Sequence, residues 1–359
     1  MITLGVDAHK QLHVAVALDD VGHEIGQWSG TNSAHGWEEV LRWAGAFGGP
    51  RRWGIEGAWG YGRGLAQHLV AAGESVYEIN ARWTALGRRH ARRSGKTDRL
   101  DARSVAAFVL QEAPHLPRVG LEDVTAVLDL LTSEREALRT ETTRLWNQVH
   151  ALLLQIDPEY KRHLPSLESR AGLAALEVYD AAGMHEVQQE RAAAVRRLVQ
   201  RLRLAQQQAS ELSRKIRAYT TAAGFDGLTQ IYGVGLILAG TLAGILGPGC
   251  RFRTDAELAA YAGTAPLETS SAGLVRHRLN RGGNRRLNAL IHMVALTQLR
   301  CWTPARLYVE RRLAEGKTKR EAMRALKRFL VRAIWNAWKR CLSGNEQGAS
   351  QLTPVRVAS

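Results

Sequence analysis

Four carboxylates lie where two strands and a helix could gather them around a divalent cation. Asp7 ends the apolar run Ile-Thr-Leu-Gly-Val-Asp, and Glu56 ends the short run Trp-Gly-Ile-Glu, both typical of β-strands. Asp98 and Asp101 are three residues apart in a segment that predicts the start of a helix, so they share one helix face. Such acids are ordinary surface residues when they occur singly. Together, in a basic chain, they favour an oxygen-only metal site.

The chemistry of such a site is that of Mg²⁺, which prefers hard oxygen ligands in octahedral geometry. Two ions about 3.5–4 Å apart can hold the attacking and leaving oxygens of a phosphodiester displacement. We therefore predict two Mg²⁺ ions at the four carboxylates.

A second group of reactive residues lies between Tyr261 and Leu290. Ser270 and Ser271 are adjacent in a loop flanked by proline and glycine, and five arginines follow within residues 276–286. A serine needs an activator, and arginines can both lower the pKa of its hydroxyl and neutralise phosphoryl oxygens. Residue chemistry alone favours phosphate binding over a nucleophilic serine. The predicted nucleic-acid-binding residues here are Arg276, Arg278, Arg281, Asn284, Arg285 and Arg286.

Charge is concentrated at one end of the chain. Of the net charge of +15, residues 221–359 contribute +13, with 21 basic against 8 acidic residues. A field of this sign favours a polyanion, most simply nucleic acid. Membrane binding is the rival interpretation, because residues 231–250 contain no charge over about the length of a membrane span. Six glycines and Pro248 lower the hydrophobicity of that segment, so we expect no membrane contact.

The three cysteines are scattered, which suggests neither a zinc site nor a disulfide framework. No signal peptide is recognisable at the N-terminus. Both features predict a cytoplasmic protein.

The length of 359 residues suggests two or three domains. Strands followed by alternating helices and strands predict a mixed α/β domain over residues 1–115. Residues 120–222 carry Leu131, Leu138, Leu145 and Leu152 at heptad spacing. They predict long helices that form a coiled coil across subunits or a hairpin within one chain.

Residues 223–342 predict a mainly helical, basic domain, and residues 343–359 a disordered tail. Near its start, Gly233-Val-Gly235 reads as a turn between two helices. The turn amides and the following helix start could hold a phosphate without reading sequence. A plain helix–helix turn explains the same pattern.

Three motifs in order carry a resemblance to a known family. They are Gly-Val-Asp7-Ala-His-Lys, Lys-Thr-Asp98-Arg-Leu-Asp101-Ala, and the block Tyr-Ala-Gly…Ser-Ser…Gly-Asn. Over nearly its whole length the chain resembles the DEDD-type transposases of insertion-sequence family one-ten, which also includes pilin-gene invertases. The resemblance implies a RuvC-like domain of the RNase H fold whose metal-binding tetrad is Asp7, Glu56, Asp98 and Asp101.

The resemblance also implies a C-terminal transposase domain with a serine that becomes transiently linked to DNA. In that family the serine stands directly before a glycine. That serine corresponds to Ser271, which is the predicted nucleophile. Because Ala272 stands between Ser271 and Gly273 here, Ser270 is the alternative nucleophile. Further implied are dimers and tetramers held by the coiled coil, with composite sites from different subunits. A structured non-coding bridge RNA would pair with donor and target DNA.

We therefore predict a site-specific DNA recombinase of an insertion sequence. No Gly-x-x-x-x-Gly-Lys-[Ser/Thr] loop occurs, which agrees with a reaction that needs no ATP. One alternative is a metal-dependent nuclease or junction resolvase without a serine step. The other is a non-catalytic nucleic-acid-binding protein.

Overall fold

The computed structural model describes residues 1–80, 97–265, 267–268, 277–278 and 283–351. Its N-terminal part contains one five-stranded sheet with the order β3-β2-β1-β4-β5. The strands are β1 (Ile2–Ala8), β2 (Leu12–Leu18), β3 (Glu24–Thr31), β4 (Arg51–Glu56) and β5 (Ser75–Ile79). The first three strands pair antiparallel, whereas β4 pairs parallel to both β1 and β5.

Helices cover both faces of this sheet. They are α1 (Ala34–Gly45), α2 (Arg63–Ala71) and α3 (Asp98–Glu112). Leu4 and Val6 of β1 share a buried core with residues of α1 and α2, while Val16 of β2 packs against Ala102 and Ala106 of α3 on the other face. The predicted mixed α/β domain is confirmed, and it is consistent with a RuvC-like domain.

Two long helices follow and pack against each other within the chain. They are α4 (Val124–Ile156) and α7 (Glu186–Ala222), joined through α5 (Tyr160–His163) and α6 (Arg170–Glu177). They run antiparallel, because Arg135 near the start of α4 donates to Ser213 near the end of α7. At the other end of the pair, Gln188 of α7 donates to the carbonyl of Gln155. The heptad leucines thus serve a hairpin within one chain, and pairing across subunits stays a prediction.

The C-terminal part is mainly helical. After a 3₁₀ turn at Phe225–Gln230 come α8 (Leu236–Leu246), α9 (Asp255–Tyr261), the short strands β6 (Leu267–Glu268) and β7 (His277–Arg278), α10 (Arg285–Cys301), α11 (Thr303–Ala314) and α12 (Lys319–Gln351). Helix α12 extends past residue 342, the predicted end of the basic domain, so residues 343–351 are helical where a disordered tail was expected. The first proline of the tail is Pro354, so no helix-breaking ring lies before that position.

The charge-free segment is the buried centre of this helical part, which explains its composition. All residues from Ala239 to Leu246 in α8 are buried. A Cβ on Gly240 would lie 2.4 Å from the hydroxyl of Thr220, and one on Gly244 would lie 2.6 Å from the backbone nitrogen of Asp129. The two glycines therefore let α8 pack closely against α7 and α4. Among the described residues, no helix is both long and apolar enough to cross a membrane.

Candidate active site

Asp7 and Glu56 lie side by side at the carboxyl ends of neighbouring parallel strands. Strands β1 and β4 pair so that Asp7 is opposite Glu56 and Gly5 is opposite Gly54. Because side chains alternate between the two faces of a strand, both acids lie on the same face as both glycines. That face is the one covered by α3. The carboxyl edge of parallel strands is where ligand sites of such sheets form.

The two glycines let α3 approach the sheet closely enough to bring its own acids near Asp7. A Cβ on Gly5 would lie 2.2 Å from both the carbonyl oxygen of Ala102 and the amide nitrogen of Ala106. On Gly54 it would lie 2.3 Å from Cγ2 of Val109. The backbone of α3 therefore rests directly on β1, a contact that only glycine permits.

The first turn of α3 carries the other two carboxylates. The hydroxyl of Thr97 accepts a hydrogen bond from the amide of Leu100 and caps the helix. Asp98 and Asp101 both lie in that turn, where negative side chains are favoured by the helix dipole. Asp101 is buried and Asp98 is exposed, so the helix start presents one carboxylate inward and one at the rim.

The surroundings of Asp7 act on the pKa of its carboxyl. Burial raises this pKa, His9 opposes the shift, and the charges of Glu56, Asp101 and Asp98 raise the pKa further. A buried carboxylate with other acids near it carries excess negative charge, which a bound cation would neutralise.

His9 is a member of this site that the sequence patterns alone did not identify. Its Nε2 lies 3.1 Å from Oδ2 of Asp7 and 3.5 Å from Oδ1 of Asp98. One donor atom from each of these three residues falls within 4.8 Å of the others, close enough to share one ion. The available signal was the two-residue spacing from Asp7, which places both side chains on the same side of an extended chain.

The base of the serine loop is closed by contacts between its two ends. The amide of Asn284 donates to the carbonyl of Tyr261 at 2.7 Å. A Cβ on Gly283 would lie 2.3 Å from the backbone nitrogen of Gly263. Strands β6 and β7 then pair antiparallel above this base. The two described ends of the loop therefore meet at one point beside the start of α10.

Arg251 connects this loop base with the sheet. Its guanidinium is buried and donates to Oε2 of Glu78 at 2.6 Å, to the hydroxyl of Tyr261 at 2.8 Å and to the carbonyl of Ile245 at 2.9 Å. It also lies over the rings of Tyr261 and Trp59. These partners belong to both parts of the chain. Arg251 therefore fixes the α/β domain against the helical part.

The same network joins the sheet to the base of the serine loop. Glu78 on β5 is paired opposite Ile55, so its side chain lies on the face of the sheet opposite to that of Glu56. At the other end, the Nδ2 of Asn284 donates to the hydroxyl of Tyr261 at 2.9 Å. Part-buried polar contacts thus connect β5 with the base of the serine loop, without reaching the carboxylates on the other face.

Comparison with known proteins assigns the family. A family model for DEDD-type IS110 transposases, described as "Transposase", matches residues 4–158. A second, described as "Transposase IS116/IS110/IS902 family", matches residues 226–310. An uncharacterized protein of insertion element IS110 from Streptomyces coelicolor is 30% identical, over 67% of this chain and 70% of its own length. The chain belongs to the IS110 family of transposases.

Two other relatives agree with this assignment. An uncharacterized protein of insertion element IS116 from Streptomyces clavuligerus is 25% identical over 93% of this chain and 94% of its own length. The transposase for insertion sequence element IS1328 of Yersinia enterocolitica is 25% identical over 69% of this chain and 68% of its own length. Membership of a transposase family assigns a DNA-processing activity and DNA as partner, and its DEDD type indicates the use of divalent metal.

The structure places the remaining candidate residues of this IS110-family chain in different surroundings. Ser270, Ser271, Arg276 and Arg281 lie outside the described residues. Arg278 is part of β7. Arg285 is exposed at the first position of α10, whereas Asn284 caps that helix by accepting from the amide of Leu287. Gly233 and Gly235 are exposed in the turn before α8, and Gly233 has a φ of +89°.

Arg286 is bound within the chain. It donates from Nε to Glu136 and from Nη2 to Thr132, both at 2.8 Å, and it pairs with Asp129. These partners all lie on α4, so Arg286 anchors the start of α10 to the helical hairpin. A role in phosphate binding, which stays a prediction, would compete with these contacts.

Proposed function

We propose that this IS110-family transposase is a DNA recombinase that combines a DEDD metal centre with a serine nucleophile. In this proposal Asp7, Glu56, Asp98 and Asp101 hold two Mg²⁺ ions, and Ser271 attacks the DNA, with Ser270 as the alternative nucleophile. The observation that supports the metal centre most directly is that Asp7 stands opposite Glu56 at the carboxyl ends of β1 and β4, under the helix whose first turn carries Asp98 and Asp101. The contacts at the loop base set where the chain leaves and returns on either side of the serine segment.

The proposed reaction balances without a nucleotide cofactor. A bound divalent cation would polarise the scissile phosphate and stabilise the leaving oxygen. The Oγ of Ser271 forms a bond to phosphorus and releases its proton, while the bond from phosphorus to the sugar oxygen breaks and that oxygen takes up a proton. The reverse step on another strand end restores the phosphodiester. The number of phosphodiester bonds is unchanged, so no ATP is consumed.

The C-terminal third would bind the nucleic acids. Its 21 basic against 8 acidic residues support binding to phosphate backbones, and Arg276, Arg278, Arg281 and Arg285 would neutralise phosphoryl oxygens during attack. We further propose that a structured bridge RNA selects donor and target by base pairing. Homodimers and tetramers would form through the long helices and supply the carboxylates and the serine of one site from different subunits.

A covalent-adduct assay tests the serine step. The wild type and three variants, Ser271→Ala, Ser270→Ala and Ser210→Ala, are incubated with Mg²⁺, the element's junction DNA and RNA from its non-coding end. The products are then separated on a denaturing gel. Ser210 is an exposed residue of α7 and serves as the control. We expect an adduct in the wild type and in Ser210→Ala, and its loss in Ser271→Ala.

Three other results would change the proposal. An adduct lost only in Ser270→Ala would move the nucleophile by one residue. Cleavage without any adduct would favour a metal-dependent nuclease or resolvase. Neither cleavage nor adduct, with unchanged DNA binding, would favour a non-catalytic nucleic-acid-binding protein.

A further inference from the structure

We propose that His9 supplies a nitrogen ligand to one divalent ion of the carboxylate centre, so that the site is not made of oxygen alone. The inference rests on the proposed metal centre and adds a residue outside the DEDD tetrad. It predicts a metal preference that four carboxylates by themselves would not give.

The distances fit ligands that share one ion. In an octahedral site with bonds of about 2.1 Å, neighbouring donor atoms lie about 3.0 Å apart and opposite ones about 4.2 Å apart. The Nε2 of His9 is 3.1 Å from Oδ2 of Asp7 and 3.5 Å from Oδ1 of Asp98. All three donor atoms lie within 4.8 Å of one another. A small movement of the three side chains toward one another would bring all three donor atoms within bonding distance of one ion.

A backbone hydrogen bond sets the position of His9 in its turn. The amide of His9 donates to the carbonyl of Leu12 at 3.0 Å, which closes the turn between β1 and β2. The side chain of His9 is 51% exposed, so its ring can adjust without disturbing the core. Despite this exposure, its Nε2 is directed at the two carboxylates.

An imidazole ligand changes which ions bind well. Mg²⁺ favours carboxylate, carbonyl and water oxygens, whereas imidazole nitrogen suits later transition metals and strengthens sites for them. We therefore expect His9 to raise the affinity for Mn²⁺ and Co²⁺ more than the affinity for Mg²⁺. Mutation of a residue that only hydrogen-bonds to a metal ligand lowers metal affinity about 10–100-fold. Loss of His9 as a direct ligand should therefore lower Mn²⁺ affinity at least about tenfold.

Pulsed electron paramagnetic resonance of bound Mn²⁺ tests this directly, because a coordinated imidazole nitrogen modulates the electron spin echo. Full-length wild type, His9→Gln, Asp7→Asn and the control His35→Gln are loaded with MnCl₂, and Mn²⁺ affinity is measured by calorimetry. His35 is exposed on α1 and pairs only with nearby Glu39 among the described contacts. Nitrogen modulation should appear in the wild type and His35→Gln. It should disappear in His9→Gln, with Mn²⁺ affinity at least about tenfold weaker and Mg²⁺ affinity reduced less.

The outcomes separate this inference from the proposed function. If Asp7→Asn weakens Mn²⁺ binding but the wild type shows no nitrogen modulation, His9 is not a ligand, and the proposed carboxylate centre still holds. Modulation that persists in His9→Gln would assign the nitrogen to another residue and also overturn the inference. If the wild type binds no Mn²⁺, or binds it equally well as Asp7→Asn, the metal centre itself fails. Circular dichroism of each variant checks that the fold is retained.

Discussion

The contact between β1 and α3 makes Gly5→Ala the most informative single substitution. Its Cβ would lie 2.2 Å from the backbone oxygen of Ala102 and the backbone nitrogen of Ala106. Ordinary carbon–oxygen contacts are about 3.3 Å or longer, so α3 must move away from β1 by roughly 1 Å. Backbone atoms cannot be relieved by a rotamer change, so the whole helix must shift.

The structure gives a magnitude for both stability and activity. Overpacking of this kind costs about 1–3 kcal/mol, well above the roughly 0.5–1 kcal/mol by which alanine is otherwise preferred to glycine in a strand. The shift also carries Asp98 and Asp101 away from Asp7. A misplacement of about 1 Å can lower a rate about 100-fold. We therefore expect weaker Mn²⁺ binding and a large loss of adduct formation.

Two alanine variants provide a graded comparison by thermal unfolding and Mn²⁺ calorimetry. Gly54→Ala meets Cγ2 of Val109 at 2.3 Å, a side-chain atom that can give way, so its effect should be smaller than that of Gly5→Ala. Gly45→Ala meets no atom within 4 Å and ends helix α1, so it should be neutral or slightly stabilising. The reasoning fails if Gly5→Ala unfolds at the same temperature and binds Mn²⁺ as tightly as Gly45→Ala.

Three further predictions concern the site and its supports. Burial and neighbouring carboxylates raise the pKa of Asp7, so the folded state binds this proton more tightly than the unfolded state, and the stability that Asp7 contributes falls as pH rises. Without metal at neutral pH, Asp7→Asn should therefore unfold at a higher temperature than wild type, whereas the exposed control Asp20→Asn should not. The gain in unfolding temperature should shrink in acid. Glu78→Ala leaves the buried charge of Arg251 without its carboxylate partner and should cost about 3–5 kcal/mol in denaturant unfolding. Glu78→Gln keeps an acceptor but lacks the charge, so a Glu78→Gln variant as stable as wild type would contradict a role for the charge pair. Gly283→Ala should open the base of the serine loop and lower the yield of the covalent protein–DNA adduct, while Mn²⁺ binding stays intact. An unchanged adduct yield would show that the closed loop base is not needed for adduct formation.

The sequence alone was sufficient for several elements and for the choice of candidate carboxylates. The apolar runs that end at Asp7 and Glu56 are a local signal, and the structure has strands β1 and β4 there. The four carboxylates could be found because each lies at the end of a recognisable element. Strand ends and helix starts are determined by nearby residues, so their positions along the chain can be predicted from the sequence without knowledge of the fold.

Only the tertiary structure shows how these elements meet. Gly5 and Gly54 stand two residues before Asp7 and Glu56, but their purpose depends on strand register and on the helix that lies over them. The charge-free segment around α8 has the length of a membrane span, and before its neighbours are known only its glycines and proline argue against one. Register and layer packing arise from contacts between distant residues, which leave little local trace.

The polar contacts that join the parts of the chain were likewise decided by the tertiary structure. Arg251 pairs with Glu78 across 173 positions, and Arg286 reaches α4 rather than solvent. His9 faces two carboxylates only because α3 begins beside the end of β1. A charged side chain carries no local sign of the partner it will meet. The sequence therefore predicted the chemistry, whereas the fold determined which residues contact one another.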